Sequence, residues 1–419
     1  MSNIRVMPTV FKGEVTLPPS KSDVHRAIIC ASLARGKSVI SPVDYSQDIL
    51  ATIDCARALG AEITKNGNTL YIDGTTLFSE NRAELDCRES GSTLRFFIPV
   101  AAVGGVEAVF TGKGRLPQRP VGIYLDCLPK AGVECITQGG LPLRIKGRLS
   151  GGEFRIRGDV SSQFITGLLL ALPLAEASSK IILTSPLQSA GYIDMTINTM
   201  SKFGVKIERT EYGYFIKGGQ KYEPCKYRCE GDWSQAGFFM AAGALGGNIT
   251  LNGLSTETAQ GDSACIDIFR KFGADVKINE NSIEVSGKDV LHGTDIDATQ
   301  IPDLVPILAV TAAFAEGTTN IYGAERLRIK ESDRLKAISE ALCGIGADVE
   351  EKEDGLIIHG VKSADGGFVN GCNDHRIVMS MAIAALRSRE NIVISDRESI
   401  SKSYGNFFED YRMTGGLCE

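Results

Sequence analysis

The chain has 419 residues, 43% of them hydrophobic and 23% charged, a balance that excludes a disordered or fibrous protein and suits a soluble globular one. That length exceeds what one compact core holds and predicts two domains of roughly 200 residues each. The formal net charge of −6 weighs against nucleic acid and anionic membrane as partners, but leaves room for a small anion held by local lysines and arginines.

No apolar run reaches the ~18–20 residues of a membrane-spanning helix. The longest, Phe96–Phe110 and Phe164–Ala177, are shorter and broken by Gly or Pro. The opening MSNIRVMPTVFKGEV lacks the apolar stretch of a signal peptide, so the expected location is cytoplasmic. The 11 cysteines are odd in number and scattered from Cys30 to Cys418, which reads as reduced thiols. Cys225 and Cys229 are the closest pair, with no second pair or paired histidine nearby, so no metal site is expected.

Along the chain one phrase recurs: Leu59-Gly60-Ala61-Glu62, Ala131-Gly132-Val133-Glu134, Phe203-Gly204-Val205-Lys206, Phe272-Gly273-Ala274-Asp275 and Ile345-Gly346-Ala347-Asp348. Its glycines lie 72, 72, 69 and 73 residues apart, and Gly415-Gly416-Leu417 is a degenerate sixth copy at a similar interval. A helix-like stretch precedes each copy, such as Asp48–Ala58 or Asp262–Lys271. Two short strands about a polar turn follow, closing on Gly74, Gly147, Gly218, Gly287 and Gly360, 14 or 15 residues downstream. The first glycine of each pair is expected to end its helix in the left-handed conformation, which only Gly adopts cheaply. Six such units in two domains give three per domain.

Several helix starts carry chemistry. In Leu17-Pro18-Pro19-Ser20-Lys21-Ser22-Asp23-Val24-His25-Arg26 the prolines stop a strand, and Ser20 or Ser22 can cap the following helix. Its free N–H groups, with Lys21 and Arg26, suit a phosphate or carboxylate. In Glu89-Ser90-Gly91-Ser92-Thr93-Leu94-Arg95 a glycine among hydroxyls again precedes an apolar helix. Arg119 lies in a proline-stiffened loop, Leu116–Pro120, and is placed for a bidentate contact. Ser161-Ser162-Gln163 opens another apolar helix with neutral hydrogen-bonding groups, fit for a hydroxylated ligand or for simple capping. Asp303, in Ile301-Pro302-Asp303, serves either as a cap or as a functional carboxylate. In Arg328-Ile329-Lys330-Glu331-Ser332-Asp333-Arg334 a helix would put Lys330 and Arg334 on one face. Asn373-Asp374-His375-Arg376 precedes the apolar run Ile377–Leu386, and Ser401-Lys402-Ser403-Tyr404 lies near the end of the chain. Most of these place polar or cationic groups at helix N-termini, where several negative charges can be held together.

Taken in order, PPSKSxxxR, ESGSTLR, QRP, SSQF, IPD, LRIKESDR, NDHR and SKSY resemble the motifs of the 5-enolpyruvylshikimate-3-phosphate synthases over essentially the whole chain. The resemblance implies an inside-out α/β barrel of two domains, each with three βαβαββ units. It places residues 1–19 with 231–419, residues 20–230 as an inserted domain, and the active site in the cleft between them. It implies that Lys21, Ser22, Arg26, Ser161, Ser162, Gln163, Ser189, Asp303 and Lys330 bind shikimate 3-phosphate. Phosphoenolpyruvate falls to Lys21, Gly91, Arg119, Gln163, Arg334, Arg376 and Lys402. Asp303 is implied as the base on the 5-hydroxyl, with Glu331 and Lys21 also catalytic. No cofactor or metal is implied. Glyphosate is the expected inhibitor and a monomer the expected state. Glu89 and Arg326 stand where some members carry Asn, and they fall outside this set.

The sister UDP-N-acetylglucosamine enolpyruvyl transferases match less well. They usually carry a reactive Cys where this chain has Leu116–Pro120, and the nearest here is Cys127. A nucleotide-driven ATPase fails on context: Ala31–Ser38, ASLARGKS, lacks the first P-loop glycine and follows a helix.

Overall fold

Helices that are apolar all round must be buried, and the apolar runs of this chain become such helices. The computed structural model describes residues 2–287 and 290–419. The chain divides into two units, one formed by Pro19–Cys229, the other by Met1–Pro18 with Glu230–Glu419.

In the first unit the helices are α1 (Lys21–Leu33), α2 (Gln47–Ala58), α3 (Gly91–Gly104), α4 (Gly122–Cys127), α5 (Ser162–Ala171) and α6 (Ala190–Lys202). Three four-stranded sheets accompany them. One pairs Lys226–Arg228, Lys37–Ser41, Thr69–Asp73 and Glu62–Asn66 in that order. The next pairs Arg82–Asp86, Glu107–Thr111, Leu143–Gly147 and Val133–Ile136. The third pairs Gly152–Ile156, Ser179–Leu183, Gly213–Ile216 and Glu208–Thr210.

The second unit holds α7 (Trp233–Ala244), α8 (Cys265–Phe272), α9 (Val305–Ala313), α10 (Arg334–Gly344), α11 (His375–Ala384) and α12 (Phe407–Met413). Its sheets run Lys12–Thr16, Asn248–Asn252, Ser282–Ser286, Asp275–Ile278; then Asp295–Asp297, Thr318–Tyr322, Leu356–His359, Asp348–Glu351; then Gly367–Val369, Ile392–Ile394, Ile4–Met7, Leu417–Cys418.

All six sheets share one pairing rule: the first two strands are parallel and the next two pairings antiparallel. The same holds in the second unit. A parallel pair needs a crossover, and α3, α5, α9 and α11 supply it in four of the sheets, whereas the hairpin pairs such as Glu62–Asn66 with Thr69–Asp73 close through short turns. Three sheets pair strands from far apart along the chain, one of them joining Lys226–Arg228 to Lys37–Ser41 in the first unit. Ile4–Met7 pairs with Ile392–Ile394, and Lys12–Thr16 with Asn248–Asn252, so the N-terminal segment is integral to the second unit.

The recurrent glycines behave as their positions predict. Gly60, Gly132, Gly204, Gly273, Gly346 and Gly415 all have φ between 81° and 106°, following a helical segment in each case. The stretch expected as one helix from Asp262 instead opens as a 3-10 turn, Gly261–Ala264, before α8.

Burial separates two kinds of helix. α7, α9 and α11 are buried at every position, and α3 and α5 at all but Ser92, Gly104 and Gln163. α8, by contrast, buries only one face. The core of each unit is built around the buried kind. Their side chains are spent on packing, so their N-terminal turns are where polar function is left over. Among the described residues no helix is long and apolar enough to cross a membrane.

Candidate active site

In the first unit the candidate residues gather at the starts of α1, α3, α5 and α6. Lys21 is the first residue of α1, and its Nζ lies 2.7 Å from Asp48 Oδ2 in the first turn of α2. Ser20 precedes α1 without a side-chain capping bond, so the capping anticipated from Ser20 does not form. Ser22 offers its carbonyl to Arg26 Nη1 at 2.6 Å. Arg26 is 2% exposed. Its Nε donates to Thr196 Oγ1 at 2.8 Å and its Nη2 to Tyr192 O at 3.0 Å, tying α1 to α6. Burial pulls its pKa down to about 10, against the opposing pull of Asp23.

Gly91 begins α3 behind Ser90, whose hydroxyl caps Thr93 N. The guanidinium of Arg119 lies directly against it, with a methyl at Gly91 meeting Nη1 at 2.8 Å. At α5, Ser161 Oγ accepts from Gln163 N at 3.3 Å, and Ser162 is buried. Gln163 is held at both ends of its amide: Nε2 donates to Ser92 Oγ at 2.9 Å, and Oε1 accepts from Arg95 Nη1 at 2.6 Å. Arg95 also donates to Pro120 O at 3.2 Å and sits over the Phe164 ring, bridging α3, α5 and the loop that carries Arg119. Ser189 precedes α6 with φ 56° and ψ 46°. A left-handed non-glycine at a helix start is strained and points to a function for its side chain or N–H groups.

In the second unit the candidates converge on Asp303. This residue lies in a 3-10 turn, Pro302–Leu304, ahead of α9, and it does not cap that helix. Its Oδ1 is 3.5 Å from Lys330 Nζ and 3.0 Å from Arg334 Nη1, and its Oδ2 is 3.3 Å from Arg376 Nη2. Arg376 also donates from Nη1 to the Asp303 carbonyl at 2.9 Å. Three cations thus meet one carboxylate.

Lys330 and Arg334 do not share a helix face. Lys330 ends a 3-10 turn, Glu325–Ile329, in extended backbone, and α10 begins only at Arg334 behind the cap Asp333. α10 starts where Asp333 accepts from Lys336 N, which leaves Lys330 outside the helix. The two cations meet at Asp303 instead.

Arg334 is 2% exposed and organises the cluster. Its Nη2 donates to Glu331 Oε2 at 2.7 Å, and its Nε to Asp374 Oδ2 at 2.8 Å. Burial alone would lower its pKa, but Asp374, Glu331 and Asp303 outweigh that and raise it. Asp374, fully buried, caps α11 and also accepts from Ser332 Oγ. Burial would push this carboxyl up, yet the Arg334 guanidinium holds it below its ordinary range. Lys402 ends the 3-10 turn Arg397–Lys402 and donates to Asn373 O at 2.6 Å. Cys372 and Asn373 both have positive φ, which turns that carbonyl-bearing loop sharply ahead of α11.

Three participants lie outside the set expected from sequence: Asp48, Arg95 and Asp374. Arg95 and Asp374 stand inside the motifs ESGSTLR and NDHR. Arg95 is one helical turn beyond Gly91, and that spacing is the signal that marks it. Asp48 has no motif around it. Of the two atypical positions, Arg326 is buried and donates to Thr299 O at 2.7 Å, and Glu89 packs beside Gly114.

Mixed sheets whose buried helices begin on hydroxyl, amide and cationic side chains define an α/β protein equipped to hold anions. This chain belongs to the EPSP synthase (3-phosphoshikimate 1-carboxyvinyltransferase) family, whose sequence model matches residues 7–411, and it is a transferase. It is 46% identical over 430 residues to the 3-phosphoshikimate 1-carboxyvinyltransferase of Clostridium novyi, covering 100% of this chain and 99% of that one. With the Clostridium kluyveri protein of the same name it shares 47% over 418 residues, 99% of this chain and 98% of the other. Its fold is similar to a solved EPSP synthase of Acinetobacter baumannii, with a TM-score of 0.85 at 27% identity, covering 100% of this chain and 99% of that one.

Proposed function

We propose that this chain transfers the enolpyruvyl group of phosphoenolpyruvate to the 5-hydroxyl of shikimate 3-phosphate, within the shikimate pathway in the cytoplasm. The observation that carries the assignment of roles is the Asp303 carboxylate met by Lys330, Arg334 and Arg376. A carboxylate compensated threefold is a resting arrangement. Anionic substrates offer those cations alternative partners and release Asp303 to accept the proton of the 5-hydroxyl.

In this reading Lys21, Ser22, Arg26, Ser161, Ser162, Gln163, Ser189 and Lys330 hold shikimate 3-phosphate. Lys21, Gly91, Arg119, Gln163, Arg334, Arg376 and Lys402 hold phosphoenolpyruvate. Arg26 contributes as a buried cation fixed to α6, and its neighbour Ser22, half-buried, supplies the accessible hydroxyl. Glu331 and Lys21 deliver the proton to the methylene carbon, leaving positive character at C2. The 5-hydroxyl oxygen bonds to C2 as its proton passes to Asp303, giving a tetrahedral ketal. Cleavage of the C2–O bond to phosphate, with a methyl proton returning to the Glu331 and Lys21 pair that supplied it, restores the enol ether. Catalysis rests on positioning and on fixed positive charge.

The six sheets with one pairing rule fit six βαβαββ units in an inside-out α/β barrel, three per domain. The division into residues 1–19 with 231–419, and 20–230, belongs to the same reading, as do a monomeric state and inhibition by glyphosate. The direct test is phosphate release from phosphoenolpyruvate: release that requires shikimate 3-phosphate supports the reading, and release without it contradicts it.

A further inference from the structure

α1, α2 and α3 are cross-linked at their N-terminal ends by two layers of polar contacts. The outer layer is the ion pair of Lys21 with Asp48. One turn deeper, at i+4 on both helices, His25 Nδ1 lies 2.6 Å from Thr52 Oγ1. The chain continues from Thr52 Oγ1 to Thr93 Oγ1 at 2.7 Å, and from Thr93 Oγ1 to Ser90 Oγ at 2.8 Å. All four residues are fully buried.

Counting protons gives this chain a direction. A threonine hydroxyl has one hydrogen. The Thr93 hydrogen goes to Ser90 Oγ at 2.8 Å, with the Asp48 carbonyl a longer alternative at 3.5 Å; either acceptor uses it, so Thr52 donates to Thr93. Thr52 then has only lone pairs for His25, which must carry its hydrogen on Nδ1. The ring is neutral: burial first, then the nearby charges of Lys21 and Arg26, hold its pKa well below 6.5. Its Nε2 has no hydrogen-bond partner among the described residues and lies in the core, where the ring meets Phe96 edge-on at 6.4 Å between centroids. The far end of the chain, Ser90, is the residue that caps α3 and precedes Gly91.

We propose that Thr52, with His25, is a positioning residue for the transfer reaction: the one-way chain His25–Thr52–Thr93–Ser90 sets the start of α3, carrying Gly91 and Ser92, against the start of α1, carrying Lys21. A buried hydrogen-bonded network specifies one arrangement where apolar packing alone tolerates several. Because His25 stays neutral, the brace is static. It touches no substrate and acts through Lys21, Gly91 and Ser92.

The inference rests on the reading of Lys21 as a substrate-binding residue, so Lys21→Ala is measured alongside. Thr52→Val keeps the shape and removes the hydroxyl, leaving His25 Nδ1–H and Thr93 Oγ1 without their partner. The expected result is a rise of about tenfold in KM for phosphoenolpyruvate per folded molecule, with a smaller fall in kcat, and recovery in Thr52→Ser. Loss of thermal stability with both KM values unchanged would make Thr52 purely structural and overturn the inference while leaving the site reading intact. Unchanged KM values in Lys21→Ala would overturn both. A second measurement needs no variant at Thr52: nitrogen-15 spectra of histidine-labelled wild-type protein at pH 7 should show His25 as the neutral Nδ1–H tautomer. A ring protonated on Nε2 would reverse or break the chain and overturn the proposal even if Thr52→Val fails to fold.

Discussion

The Arg119 guanidinium lies flat against the Cα of Gly91, with Nη1, Cζ and Nη2 all 2.8–2.9 Å from where a side-chain carbon would start. Only glycine permits that approach. The consequence of a Gly91→Ala substitution is therefore displacement of Arg119 rather than simple filling of an open pocket. Arg119 ends in a flexible side chain, so the fold should survive. The KM for phosphoenolpyruvate should rise by about tenfold through loss of one charge-assisted contact. If the methyl acts through Arg119, the double substitution with Arg119→Ala should be no worse than Arg119→Ala alone. Steady-state kinetics on the four proteins decide this, and additive losses would show that the two residues act separately.

Asp374 is the fully buried partner of Arg334. Asp374→Asn keeps the cap of α11 but leaves a buried guanidinium short of one compensating charge. The expected loss is about 3 kcal/mol, less than for an isolated pair because Asp303 and Glu331 remain. The pH dependence follows from the lowered pKa. A carboxyl held below its ordinary 3.8 contributes stability above that value and loses it as pH falls through the folded-state value. Thermal unfolding from pH 3 to pH 7 should show a shallower acid limb in Asp374→Asn than in wild type, and parallel limbs would contradict the assignment.

Asp262 should behave with the opposite sign. It is buried, accepts from Ser234 Oγ through one oxygen, and its other oxygen has no partner among the described residues. Burial, then the Asp303 carboxylate, raises its pKa from 3.8 to about 7. A raised acid favours the folded state in its protonated form. Its contribution is complete below pH 3.8 and is lost as pH rises through about 7. Asp262→Asn cannot ionise and keeps an oxygen for Ser234. Its melting temperature relative to wild type should therefore improve steadily between pH 4 and pH 7. A constant difference across that window would place the titration elsewhere.

Much of the chain's organisation is legible in its sequence. Glycine-ended helices at near-constant intervals mark the repeating segments, because a left-handed helix terminus leaves few other residues to choose from. Helix starts at Gly91 and Ser162 are equally readable, since hydroxyls and glycine immediately precede apolar runs. The misreading at Lys330 shows the limit. Charged residues four apart look alike on a helix or on either side of a break, and the cap at Asp333 that decides the matter sits among other acids. The convergence of Lys330, Arg334 and Arg376 on Asp303 joins residues from separate repeats' ends, so periodicity carries no trace of it. Asp48 illustrates the same loss: its pairing with Lys21 depends on how α1 packs on α2, which no local pattern encodes.

Arg119→Ala separates binding from chemistry. A positioning cation lost from both ground and transition state should raise the KM for phosphoenolpyruvate while kcat changes far less. Glu331→Gln keeps a hydrogen-bonding side chain beside Arg334 but cannot deliver a proton, so kcat should fall by roughly 10²–10⁴ with little change in KM. Initial rates at varied phosphoenolpyruvate measure both. A kcat loss in Arg119→Ala as large as that in Glu331→Gln would erase the distinction.

The role of Asp303 is the centre of the account, and Asp303→Asn addresses it directly. The substitution is nearly isosteric, yet it removes the charge shared by Lys330, Arg334 and Arg376 and cannot take the 5-hydroxyl proton. Phosphate release from phosphoenolpyruvate with shikimate 3-phosphate should be measured per folded molecule, with substrate binding followed by calorimetry. The account predicts that binding persists while kcat falls by roughly 10²–10⁴. Turnover near the wild-type value in well-folded Asp303→Asn would contradict the assignment of Asp303 as the base.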